Sequence, residues 1–101
     1  MSNQIIPNTD YLYMIGADSD FGHPVKIGVS CDLEKRLYQL NTGSPVKLAI
    51  KATLGPFTRK VAYSLEDTIH SKLSEYHIRG EWFKASCKPA FLIAATHTSY
   101  D

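Results

Sequence analysis

A phenol, an ammonium, a guanidinium and a carboxylate stand along the chain at Tyr13, Lys26, Arg36 and Glu66. Between them they could bind a phosphate and move a proton beside it. Tyr13 and Lys26 fall on two apolar runs joined by one loop, so they can meet across a strand ladder, where partners stand ~5 Å apart at Cβ. An ammonium beside a phenol favours the phenolate and lowers its pKa from ~10; such a pair could take a proton from water. Arg36 lies three residues after Leu33 and four before Leu40, on or beside the helix face turned to the sheet. A guanidinium there can hold a phosphate in bidentate fashion. Glu66 and His70 are four apart and project from one side of a helix. A carboxylate at the border of a buried face suits a hard cation such as Mg²⁺, and Glu81 can turn to the same place. Each residue also has a plain structural reading. Tyr13 would then be packed in a sheet, Lys26 solvated, Arg36 in a helix-edge ion pair, and Glu66 with His70 a surface pair. Glu81-Trp82-Phe83 would anchor the chain with Trp82 and Phe83 in the core.

The surrounding pattern supplies elements to hold these groups. Residues 11–15 are rich in strand formers and end at Gly16, and 17–24 (ADSDFGHP) is turn chemistry. Val25, Ile27 and Val29 alternate with Lys26, Gly28 and Ser30, which predicts a second strand over 25–30. Asp32 is placed as an N-cap for a helix carrying Leu33, Leu37 and Leu40, stopped by Asn41-Thr42-Gly43-Ser44-Pro45. Residues 46–54 alternate as a third strand, broken by Gly55-Pro56. A long helix follows from about Thr58 to Tyr76, with Ala62, Leu65, Ile69, Leu73 and Tyr76 on one stripe. Arg79-Gly80 ends it. A short extended piece at 81–83 precedes a last helix from Pro89, packing Phe91, Leu92 and Ile93. The expectation is an α/β (α+β) fold with a three-stranded sheet flanked by helices, in the order β-β-α-β-α-(short extended)-α.

At 101 residues and 44% hydrophobic content the chain has the size and composition of one globular domain. The core is expected over about 11–84, with a loose tail at 1–9 and a C-terminal helix and tail at 85–101. No apolar run approaches the ~20 residues of a membrane span, and the start lacks a signal-peptide layout. Cys31 and Cys87 are too few and too far apart for a zinc ribbon or disulfide scaffold. These features predict a soluble, cytoplasmic protein with reduced thiols and no membrane partner. The net charge of +1 hides a segregation, because residues 35–65 carry six bases and no acid. Lys35, Lys47, Lys51, Arg59 and Lys60 could form one basic face for a polyphosphate such as the DNA backbone. Equally, the acid-rich first third could fold back onto them.

In order and spacing, these pieces resemble the GIY-YIG nuclease superfamily. Tyr13 closes a Tyr11-Leu12-Tyr13 triplet where that superfamily has Gly-Ile-Tyr, and Lys26-Ile27-Gly28 stands in place of Tyr-Ile-Gly. Arg36 follows Gly28 by eight residues, and Glu66 lies on the later helix. KIGVS, DLEKRL, the Glu66…His70 pair and GEWF are most similar to the subgroup found in phage and meiotically up-regulated gene proteins, over residues 11–84. The resemblance implies a metal-dependent DNA endonuclease. Glu66 would hold Mg²⁺ or Mn²⁺, Arg36 would neutralise charge on the phosphoryl group, and Tyr13 would act as general base on water, leaving a 5′-phosphate. Lys26 replaces the second tyrosine and would hold the water or activate Tyr13. The family's late asparagine has no clear counterpart. His70 would orient Glu66 or replace a lost partner, and Tyr11 and Glu81 would be accessory. A chain this small implies a separate DNA-binding partner or a homodimer. The competing expectation is a catalytically silent module that holds nucleic acid or protein on the same fold.

Overall fold

A computed structural model describes residues 7–19 and 22–97. Strands β1 (Asp10–Ala17) and β2 (Val25–Ser30) lead to helix α1 (Leu33–Thr42), strand β3 (Leu48–Phe57) and helix α2 (Arg59–Lys72). A 3-10 turn at Ser74–Tyr76, strands β4 (His77–Arg79) and β5 (Trp82–Phe83), a second such turn at Ala85–Cys87 and helix α3 (Lys88–His97) complete the order. The strands form one antiparallel sheet ordered β3-β1-β2-β5-β4.

β1 is flanked on both edges, so successive side chains serve opposite faces. Leu12 and Met14 meet Val25, Ile27, Ala62, Leu65, Ile69, Phe83 and Phe91 under α2 and α3. Tyr13 and Ile15 meet Leu48 and the half-buried Leu33, Leu37 and Leu40 of α1. Each large apolar side chain fully buried in this way contributes on the order of 1.5–3 kcal/mol. The helices start where the sequence places them. Asp32 caps α1 by accepting from the Lys35 amide at 3.0 Å, and Thr58 caps α2 by accepting from the Val61 amide at 3.3 Å. At the other end of α1, Asn41 Nδ2 donates to the Leu48 carbonyl at 3.2 Å while its Oδ1 accepts the Leu48 amide at 2.7 Å. The helix is thereby tied to the start of β3.

Several expectations are corrected. The sheet has five strands rather than three, because a hairpin of three- and two-residue strands docks on the edge of β2, pairing Val25 with Phe83 and Lys26 with Trp82. Strands this short carry no readable alternation. β3 does not stop at Gly55-Pro56. Asp10 faces Phe57 and Leu12 faces Leu54, so the Gly-Pro pair is absorbed in a bulge, where a missing proline N–H costs no ladder bond. A second bulge at Lys51 moves the apolar side of β3 from the α1 face (Leu48, Ile50) to the α2 face (Ala52, Leu54). α2 ends at Lys72, and Tyr76 is half-buried in the turn beyond. On α3, Phe91, Ala94 and Ala95 are buried, whereas Leu92 and Ile93 stay 57% and 62% exposed. They face away because the helix has one contact side, and Phe91 with the two alanines fills it. Pro7–Thr9 is exposed and irregular; the rest of the expected N-terminal tail and the C-terminal tail beyond His97 lie outside the described residues. No described helix is long and apolar enough to cross a membrane.

Candidate functional site

The register sets the geometry. Tyr13 stands opposite Gly28, and Lys26 stands opposite Ile15 and Trp82. Lys26 is therefore a diagonal rather than a direct neighbour of Tyr13. Direct and diagonal partners share a face, so Tyr13, Gly28 and Lys26 all lie on the side covered by α1. Tyr13 is fully buried, and its ring occupies the space above Gly28. A Cβ at Gly28 would meet Tyr13 Oη at 2.6 Å, Cζ at 2.8 Å and Glu81 Oε1 at 2.9 Å. Both the phenol and the Glu81 carboxylate converge on this one bare Cα.

Glu81 arrives through the β4–β5 hairpin. Its carbonyl accepts the Ile27 amide at 2.9 Å, and its Oε1 lies 3.1 Å from Lys26 Nζ. The same ammonium sits 5.5 Å from the centre of the Trp82 ring. Glu66, on α2, is only 7% exposed. Burial is the main cause that pushes its pKa up to about 7; a proton shared with Glu81 and the charges of Glu81 and Asp67 add to it, and Lys26 opposes. His70, one turn on, reaches the backbone of β2 next to its pairing with β5. Its Nε2 lies 2.9 Å from the Ile27 carbonyl, which can only accept, so Nε2 carries the proton. Its ring packs edge-on against Phe83 at 4.8 Å.

Arg36 projects from α1 towards the phenol. The expected lowering of the Tyr13 pKa does not occur: burial pushes it up to about 12, and Glu81 and Glu66 add to the rise. Arg36 acts in the other direction, near enough to favour the phenolate but without the alignment of a hydrogen bond. Lys26, expected to do this work, is turned to Glu81.

Three buried side-chain polar atoms have no hydrogen-bond partner among the described residues: Tyr13 Oη, Arg36 Nε and Glu66 Oε2. Buried polar groups are nearly always paired, so three orphans converging on one place call for a ligand or a reaction. The donor chemistry fits a hard divalent cation. Glu66 and Glu81 offer carboxylate oxygens, and such an ion is commonly held by one or two carboxylates with water and phosphate oxygens completing the shell. Among the described residues no group of three or more His, Cys, Asp or Glu gathers as a metal cluster.

The structure does not bring the five basic candidates together. Lys35 lies with Arg36 on a cleft of about 320 Å³ also lined by Ser30, Asp32 and Gln39. Tyr11 is half-buried opposite Ser30, on the face of Tyr13. Lys51 sits on the opposite face beside Met14 and Phe91, and its Nζ donates to the Asp18 carbonyl at 3.3 Å. Lys47 Nζ is 3.9 Å from Asp18 Oδ2, and Arg59 Nε is 3.4 Å from the buried Asp10 Oδ2. Lys60 is exposed at the start of α2. Acids of the first third fold back onto much of the basic segment.

Two residues of the site were not singled out by sequence reasoning. Gly28 could have been found as a glycine inside a strand, a mark of close backbone or ligand approach. Trp82, expected in the core beside Phe83, is half-buried and exposed to a groove. No signal in the sequence separates the two aromatics.

Among curated proteins and solved structures, none matches the chain. The model of one family, described as the T5orf172 domain, matches residues 10–96. That stretch runs from the first residue of β1 to the last turn of α3 and contains every group of the site, so the chain belongs to the T5orf172 domain family.

Proposed function

We propose that this chain is a divalent-metal-dependent DNA endonuclease of the GIY-YIG type. The observation that carries the reading is the set of three orphaned buried atoms, on Tyr13, Arg36 and Glu66. These are the residues whose types and order suggest phosphodiester hydrolysis. Membership of the T5orf172 family, a phage-associated domain of endonuclease type, supports it.

In this reading Glu66 and Glu81 hold Mg²⁺ or Mn²⁺, and Lys26 fixes the Glu81 carboxylate. When bound, the ion supplies Lewis-acid stabilisation of charge on the scissile phosphate and the leaving 3′-oxygen. Arg36 pairs with a phosphate oxygen through its guanidinium, whose buried Nε has no protein partner. Tyr13 accepts the proton of the attacking water. With a pKa of about 12 it is protonated at rest, so its own proton must first pass to solvent. The charge of Arg36 favours that loss, and Glu66 and Glu81 oppose it while their charge is uncompensated. His70 is a positioning residue: its bond to Ile27 pins α2 against β2 and sets where Glu66 points.

The test is nicking of supercoiled plasmid at low salt with Mg²⁺ or Mn²⁺, an EDTA control and Glu66→Ala in parallel. Metal-dependent nicking lost in the variant is the expected result. Equal nicking by the variant would overturn the metal-site assignment. The second reading, nucleic-acid binding without cleavage, is favoured by one observation: Lys26 is engaged by Glu81 rather than directed at Tyr13. Absence of cutting on plasmid, branched and single-stranded DNA would move the assignment there.

A further inference from the structure

The site continues into a groove that none of the residues above accounts for. Cross-strand partners line up Arg79, Trp82 and Lys26 as one row over β4, β5 and β2. The row continues to Ile15 on β1, so it runs over the Tyr13 face. An indole therefore lies between two cations beside the reaction centre. The groove it lines is about 440 Å³, with Pro24, Val46 and Ile78 giving apolar walls and His23 and Arg79 giving polar edges. Ile78 is half exposed at its lip. One ammonium joins the two places: Lys26 Nζ is 3.1 Å from Glu81 Oε1 and 5.5 Å from the Trp82 ring centre.

We propose that this groove takes an unpaired nucleobase of the substrate, stacked on Trp82, with a flanking phosphate drawn to Arg79. This names the substrate class of the site and rests on the nuclease reading: DNA with a single-stranded segment next to the scissile bond. The chemistry favours an unpaired base because stacking on an aromatic side chain needs an open base face, which a continuous duplex hides. An apolar cleft edged by Arg79, with Trp82 the cross-strand partner of the lysine that holds Glu81, matches a base and its phosphate in both polarity and charge.

Trp82 is the lone tryptophan, so its emission reports the groove directly. The unsubstituted protein in EDTA is titrated with a short oligothymidylate and with a blunt duplex of equal length, following tryptophan fluorescence and the anisotropy of a dye on the DNA. Expected are saturable quenching by the single strand, little change with the duplex, and about tenfold weaker single-strand binding for Trp82→Ala. Arg79→Ala, at an exposed position, should reduce the salt slope by about one, and it decides the matter if Trp82→Ala does not fold. Saturated binding by anisotropy without quenching would overturn the groove assignment, and so would equal quenching by the duplex. Plasmid nicking alongside unquenched tryptophan leaves the nuclease reading intact and removes only the groove. Quenching without cleavage of any DNA keeps the groove and removes the nuclease reading.

Discussion

Tyr13 and Gly28 are cross-strand partners, and the phenol of the first fills the space that a side chain on the second would need: a Cβ at 28 would come within 2.6 Å of Oη. Tyr13 is fully buried between the sheet and α1, so its ring has nowhere to retreat. The glycine thus sets both the height of the hydroxyl and the approach of Glu81.

Gly28→Ala is accordingly expected to destabilise the fold by about 1–3 kcal/mol through overpacking. It should also abolish nicking at temperatures where the variant remains folded. Thermal unfolding and the plasmid assay measure the two effects; an alanine variant with unchanged midpoint and activity would show that the close approach has no consequence.

Stability without metal should fall with rising pH because of Glu66. Its folded pKa of about 7 lies above that of the unfolded chain, so the folded state holds a proton the unfolded state has released. Stability present below the unfolded carboxylate pKa is then lost as pH rises through about 7. Urea midpoints at pH 5 and pH 8 should show this fall, Glu66→Gln should flatten it, and Mg²⁺ at pH 8 should restore part of it only in the unsubstituted chain. An equally steep fall in the variant would assign the pH dependence to other groups.

Lys26 opposes the rise of the Glu66 pKa and neutralises Glu81. In Lys26→Met two uncompensated carboxylates remain side by side. The acid limb of the pH–rate profile for nicking should move up by about one unit, while Lys26→Arg keeps it near its original place. An unshifted limb in the methionine variant would separate Lys26 from the carboxylate pair.

Among the basic residues, Lys35 should matter most for DNA. It shares a cleft with Arg36, whereas Lys51 lies on the far face and Arg59 is paired with Asp10. Lys35→Gln is expected to lower the salt slope of DNA binding by about one, with Lys51→Gln near zero. Equal slopes for the two variants would mean that the far face also contacts DNA.

Much of this site was legible in the chain. The types and order of Tyr13, Arg36 and Glu66, the cap at Asp32, the helix start near Thr58, the stripe Ala62–Leu65–Ile69–Leu73 and the alternation of 25–30 are local patterns, set by residue chemistry at short spacing. What they could not contain depends on distances between segments far apart in sequence. The β4–β5 hairpin exists only because β2 offers an edge to pair with, and it alone carries Glu81 and Trp82 to the site. The bulges at Lys51 and Gly55-Pro56 follow from matching β3 to β1. The basic run looks uniform along the chain, yet folding sets Asp10 and Asp18 against it. The sign of the Tyr13 shift was read from one expected neighbour, Lys26, but burial beneath α1 outweighs the nearby cation, and Lys26 is drawn to a carboxylate 55 positions away in the chain. Desolvation and pairing are properties of the assembled interior, so the tertiary structure decided them.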